Sequence, residues 1–167
     1  MRTVASSTLA CACLLALFSV TSLTASVDAK ARVDGKERAI VRAINHQRSR
    51  HGLTGLRSSA RLARAADYHS WEMLDANYFA HDSRDGSSWD KRVRRYADHN
   101  ALGETLAMLG GCGRKAPRKI VRMWMNSPPH RAVLLSGSYS RVGVGSRTGN
   151  LGGSRACVVT ADFGSRK

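Results

Sequence analysis

The chain has 167 residues, and 27 Lys and Arg against 12 Asp and Glu give it a formal net charge of +15. A hydrophobic fraction of 43% supplies a core and excludes a wholly disordered chain, while 3 Pro and 15 Gly exclude collagen-like or Pro-rich repeats. No apolar run reaches the roughly 18–20 residues of a membrane span, and 4 Cys are too few for a disulfide-dense miniprotein.

Leu9 to Val20 form an apolar run behind Arg2. A charged start, an apolar stretch of this length and a small-residue exit predict a secretory signal peptide over residues 1–29, cut after Ala29, with Ala25 as the alternative. A buried N-terminal helix is the other reading. Cleavage leaves 138 residues still carrying +15, since Arg2 and Asp28 leave together. It also removes Cys11 and Cys13. The remaining Cys112 and Cys157 predict one disulfide in an exported protein, against two free buried thiols.

Residues 30–36 read as a short polar leader before one domain, 37–167. Ile40, Val41 and Ile44 give Glu37–Arg50 helical periodicity, ending near His51-Gly52. After a turn over Leu53–Arg57, Ser58 or Ser59 caps a second helix reaching about Asn77. Its apolar stripe is Leu62, Ala66, His69, Met73 and Ala76, which places His69 inward. Tyr78–Ser88 reads as a loop. Ser87 is expected to cap a third helix with Trp89, Val93 and Tyr96 inward. Gly103–Leu109 reads as a short strand closed by Gly110-Gly111-Cys112-Gly113. Pro117 suits the first turn of a fourth helix that buries Ile120, Val121, Trp124 and Met125. Ser127-Pro128-Pro129 restarts a short helix carrying His130. Tyr139–Ser146 and Ala156–Phe163 read as strands joined by a loop over Arg147–Arg155. Helices first and strands mainly last predict an α+β fold with helices packed on an antiparallel sheet.

Of the 27 basic residues, 21 are Arg. Clusters at Lys91–Arg95 and Arg114–Arg122 lack the interleaved aromatics of a single-strand binding platform. No nucleic-acid motif is present, so no specific nucleic-acid partner is expected. A solvated basic face is one reading. Electrostatic attachment to an anionic wall polymer or membrane surface is the other.

His46, His51 and His99 lie among charged neighbours and read as surface residues. His81 follows Phe79 in a loop. Glu104, one of three Glu in the chain, is preceded by Gly and followed by apolar residues, so it reads as part-buried and in need of a partner. An imidazole would serve. His81, Glu104 and His130 could equally hold a divalent ion, although their spacing matches no compact metal motif. No nucleophile elbow or phosphate-cradling loop is visible.

The order of these pieces resembles the CAP superfamily of cysteine-rich secretory, antigen 5 and pathogenesis-related proteins, also called SCP-like, in its short secreted bacterial form. The resemblance rests on Asn45 and Arg48, on Leu62 to Met73, and on Phe79-Ala80-His81-Asp82-Ser83 with Asp85-Gly86. Gly103-Glu104, Trp124 to Arg131, Val142-Gly143-Val144-Gly145 and Asp162-Phe163-Gly164 complete it, over roughly residues 37–164. It implies a three-layer α-β-α sandwich with a central antiparallel sheet. It also implies a cleft lined by His and Glu that binds zinc or another divalent cation in some members. Carried over, His81, Glu104 and His130 are the expected cleft and metal residues, with His69 a fourth cleft candidate. Thr105 and Pro129 depart from the family pattern. The second Glu and the His of animal and plant members have no counterpart here.

The resemblance supports a secreted, non-enzymatic module for an apolar or anionic extracellular ligand. Two alternatives stand beside it: a metal-assisted hydrolase at His81, Glu104 and His130, and a cationic binder of anionic surfaces.

Overall fold

The computed structural model describes residues 22–165. The expected signal peptide therefore lies largely outside the described residues. The first helix, α1, spans Ser22–Arg50. Positions 30–36 are helical rather than a loose leader: the stretch holds no Pro and is rich in Ala, Lys and Arg, which favour helix. Beyond it, α1 buries Ile40 and Ile44.

Asn45 and Arg48 fix the path of the chain after α1. The Asn45 amide donates to the Leu56 carbonyl at 2.9 Å and accepts from the Leu56 N–H at 2.7 Å. The buried Arg48 donates to the carbonyls of Thr54, Leu134 and Ser136. These contacts hold a two-residue strand the sequence did not announce, β1 (Arg57–Ser58). Ser59 caps α2 (Ala60–Asp75), its hydroxyl accepting from Leu62 N–H. Asn77, with φ 52°, ends the turn after α2. α3 (Trp89–Arg94) starts after Ser88, not Ser87. Its cap differs from expectation because the Asp82 carboxylate takes the Trp89 N–H at 3.2 Å, while Ser88 donates to Asp90.

The remaining elements are β2 (Leu102–Leu109), α4 (Ala116–Asn126), α5 (Pro128–Leu134), β3 (Arg141–Leu151) and β4 (Ser154–Gly164). The strand order is β1-β3-β4-β2. β4 pairs antiparallel with both β3 and β2, and only β1 is parallel to its neighbour. The expected nine-residue loop over Arg147–Arg155 is instead strand on both sides of a turn at Gly152-Gly153. Both glycines have positive φ (59° and 78°). A two-residue turn of that kind matches the twist of the flanking strands, so Arg147 to Leu151 stay paired with β4.

The fold is the expected α+β three-layer sandwich. α1, α4 and α5 pack on one face of the sheet, around Ile44, Ile120, Trp124, Leu134, Val159 and Phe163. Trp124 also donates its indole N–H to the Leu106 carbonyl of β2 at 2.8 Å. On the other face, Met73 of α2 meets Leu106, Ala156 and Val158, and Leu62 and Ala65 meet Val93 of α3. α2 lies unusually close to β3. A β-carbon on Gly143 would sit 2.0 Å from the Ala63 backbone nitrogen, and one on Gly145 2.2 Å from that of Asp67. The expected Cys112–Cys157 disulfide is present, with a Cα–Cα distance of 5.4 Å, and closes a 45-residue separation between the loop after β2 and the start of β4.

The close helix–sheet approach and the disulfide each give a stability outcome. Gly145→Ala must push α2 off the sheet and is expected to cost about 3 kcal/mol or more in urea denaturation. Cys112→Ala/Cys157→Ala is expected to cost about 4 kcal/mol by the chain-entropy argument for a loop of this size, seen as a lower midpoint in the same titration.

Candidate functional site

His81 and Glu104 meet although 23 residues separate them. Glu104 stands on β2, the edge strand, with its side chain turned toward the α2–α3 face. Two other parts of the chain converge on its carboxylate. The His81 ring, in the loop after α2, donates Nδ1–H to Oε1 at 2.7 Å. The donor is assigned from the carboxylate, which only accepts when ionised. Arg92 of α3 donates through Nη2 to Oε2. The Glu104 and Arg92 side chains are 1% and 0% exposed, whereas His81 is 47% exposed. A buried carboxylate and guanidinium thus neutralise each other behind a ring that faces solvent. With Nδ1 committed to Glu104, Nε2 is the ring nitrogen left to meet a ligand.

Arg92 also sets the loop. Its Nη1 donates to the His81 carbonyl at 2.8 Å and to Ser83 Oγ at 3.1 Å. A second polar string fixes the residues before His81. The fully buried His69 contacts Glu72 through Nδ1 at 3.1 Å and the Ala80 carbonyl through Nε2 at 2.9 Å. Tyr78 donates its hydroxyl to the same Glu72 oxygen at 2.8 Å. Burial, reinforced by the Arg92 charge, holds the His69 imidazole below its ordinary pKa. Burial pushes Glu72 upward, but the bonds from Tyr78 and His69 outweigh it and leave the carboxyl below its ordinary value. His69, expected to line the cleft, therefore sits behind it, its ring nitrogens facing the Glu72 carboxylate and the Ala80 carbonyl.

His130, on α5, is half-buried. Burial lowers its pKa, and the nearby His81 lowers it further. α5 packs against β2, which carries Glu104, and the two imidazoles lie close enough for their charges to interact. His46 and His51 are exposed, as expected. His99 is not a free surface residue: its Nδ1 contacts the Ser165 carbonyl and its ring covers Gly164.

Sequence reading missed three members of the site. Arg92 was grouped with the solvated Lys91–Arg95 cluster. Its place three residues after Trp89, beside the Trp89–Val93–Tyr96 stripe, was the available signal. Glu72, three residues after an inward His69, could have been found the same way. Asp162 is in phase with Val158 and Thr160, which face α2, so it had to point the same way. It stands opposite Glu104 in the β2–β4 register. Asp162 is fully buried, and neither carboxylate oxygen has a hydrogen-bond partner; the same holds for Arg92 Nε.

The chain matches the Cysteine-rich secretory protein family, CAP, over residues 41–163. It belongs to that family. Among curated relatives, it is 33% identical over 121 residues to the uncharacterized protein YkwD of Bacillus subtilis, a match covering 72% of this chain and 46% of YkwD. It is 36% identical over 110 residues to the uncharacterized membrane protein YlbC of the same species, covering 65% of this chain and 31% of YlbC. The chain thus spans less than half the length of either relative. An extracellular SCP-domain protein of Bacillus anthracis superposes with a TM-score of 0.67 at 29% identity, over 80% of this chain and 41% of that one. An outer surface protein of Borrelia burgdorferi gives the same TM-score of 0.67 at 19% identity, over 80% of this chain and 94% of that one. The second likeness speaks to the fold.

The metal set expected from the CAP resemblance does not fit this arrangement. Both Glu104 oxygens are engaged, one of them by a buried cation. Among the described residues, no three His, Cys, Asp or Glu side chains are grouped to hold a metal ion. His81 and His130 remain as two imidazoles only.

Asp162 yields a pH outcome. Burial first, and then the Glu104 charge, raise its carboxyl well above the ordinary value of 3.8. Below that ordinary value both folded and unfolded states hold the proton and nothing is lost. As pH rises, the unfolded chain releases its proton first, so stability falls until the folded carboxyl also ionises. Asp162→Asn removes this dependence. It is expected to match the parent near pH 4 and to be more stable than the parent at pH 7, checked by urea denaturation at both values.

Proposed function

We propose that this CAP domain works outside the cytoplasm as a non-enzymatic binding module, with the His81–His130 cleft as its polar recognition site. One observation carries the reading. The acidic group at the cleft, Glu104, is consumed on both oxygens by His81 and Arg92. Its side chain is also only 1% exposed and lies behind the His81 ring, so it does not meet a ligand in the cleft directly. Both Cys residues of the domain are spent in a disulfide. Among the described residues, no Ser, Thr or Cys side chain is hydrogen-bonded to either imidazole. What the cleft offers a ligand is the outer nitrogen of a braced ring and a second, half-buried imidazole. Those groups orient and hold a polar ligand; they lack a nucleophile to cut one. The extracellular setting is supported by the signal-like N-terminus and by the Bacillus anthracis relative, itself an extracellular protein.

The test incubates the purified protein with isolated cell-envelope material at about 0.5 M salt, where long-range charge attraction is screened. Retained protein and released soluble fragments are both measured. Retention without fragments, reduced at least ten-fold by His81→Ala/His130→Ala, is expected. Fragments that disappear in the same variant would make the domain a hydrolase. Retention unchanged in the variant would remove the cleft from the function. A parallel zinc titration is expected to show no stoichiometric uptake at micromolar metal; uptake abolished by His81→Ala would overturn the metal-free cleft.

A further inference from the structure

A concavity of about 820 Å³, whose lining does not include Glu104, lies between α1 and α4. The two helices run in the same sense. Lys36 and Ala39 sit beside Arg114 and Pro117 at one end, and His51 Nε2 lies 3.2 Å from Arg131 Nη2 at the other. Six arginines line the groove: Arg42, Arg50, Arg114, Arg118, Arg122 and Arg131. All six are exposed. Among the described residues, no Asp or Glu lines it. The arginine ion pairs of the described residues fall elsewhere, on Arg84, Arg92, Arg94, Arg95 and Arg147.

The charges are also spaced. Arg42, His46 and Arg50 recur every four residues along α1, and Arg114, Arg118 and Arg122 do so leading into and along α4. Each four-residue step advances about 6 Å along a helix. Two rows of side chains, Arg42 and Arg50 flanking His46 on one and three forked guanidinium groups on the other, thus face one another across a floor that includes Ala43, Val121 and Met125. Arg rather than Lys suits bidentate capture of phosphate oxygens. The lining holds no Phe, Tyr or Trp on which bases could stack, which disfavours single-stranded nucleic acid. A recessed double row fits a strand better than it fits a flat lipid surface.

From this geometry we infer that the α1–α4 groove binds a linear, phosphodiester-linked anionic polymer of the extracellular wall, laid lengthwise between the two arginine rows. The site is independent of the His81–His130 cleft, so either can fail without the other.

The test uses the intact chain and fluorescently labelled poly(glycerol phosphate), read by anisotropy at about 0.15 M salt. Arg42→Gln/Arg118→Gln/Arg122→Gln is compared with Arg61→Gln/Arg64→Gln/Arg155→Gln. The second triple removes the same charge from exposed sites outside the groove. The groove triple is expected to weaken binding at least ten-fold and the control less than two-fold. The slope of log affinity against log salt should shrink by about 2 in the groove triple, as for three lost phosphate contacts. Equal losses in both triples, or no binding by the parent chain, would overturn the groove. Equal or tighter binding of single-stranded DNA or phosphatidylglycerol vesicles through the same arginines would overturn the polymer. Thermal unfolding checks that each triple folds. If the groove triple does not, Arg42→Lys/Arg118→Lys/Arg122→Lys takes its place: a several-fold loss supports the fork geometry, and no loss overturns it.

Discussion

The Arg92–Glu104 pair is the contact on which the cleft depends. Two charges removed from water cost several kcal/mol each unless they face one another and are otherwise bonded. Here the pair sits at the meeting point of β2, the six-residue α3 and the loop after α2. An isolated helix as short as α3 has no stability of its own. It persists because Val93 packs against Leu62 and Ala65 of α2 and because Arg92 is bonded on three sides. The loop is held by the same guanidinium. The position of His81 is thus a consequence of a buried ion pair, with the His69–Glu72–Tyr78 string steadying the residues just before it.

Most of the fold was legible because it follows from periodicity. The stripe through Leu62, Ala66, His69 and Met73 marks α2, and alternation marks the three long strands. What was not legible depends on contacts distant in sequence. β1 is only two residues long and exists because Asn45 and Ser59 hold it against β3. The Gly-rich stretch after Ser146 resembles a loop by composition, yet two adjacent positive-φ glycines turn it into a tight hairpin. The Gly143 and Gly145 pattern reads as an ordinary strand segment. Its meaning, a helix backbone seated on the sheet, appears only in three dimensions.

The cleft was legible in its visible half. Glu104, with its scarcity and apolar setting, asked for a partner, and His81 supplies one side of it. The other side is Arg92, hidden by the company it keeps. In a chain with 21 arginines, a basic cluster suggests a solvated face. Only the helical phase of Arg92 relative to Trp89 and Val93 separates it from Lys91 and Arg94, which are exposed. Asp162 was hidden differently: its strand phase points inward, but nothing local shows that it would face another carboxylate across the ladder.

Arginine therefore does three distinct things in this domain, and the net charge conceals the division. Arg48 and Arg92 are structural, satisfying carbonyls and a carboxylate in the interior. Arg84, Arg94, Arg95 and Arg147 are paired with surface acids, where such pairs contribute little to stability. The six along α1, α4 and α5 are collected on one concave surface with no acid in the lining. Like charges gathered without counter-ions repel one another and lower stability, so the arrangement has a cost that packing does not explain. α5 places this groove next to the cleft: His130 looks toward His81, while the adjacent Arg131 lines the arginine groove and contacts His51. Consecutive residues of one short helix thus serve two different surfaces, one with imidazoles over a buried acid, the other lined by arginines.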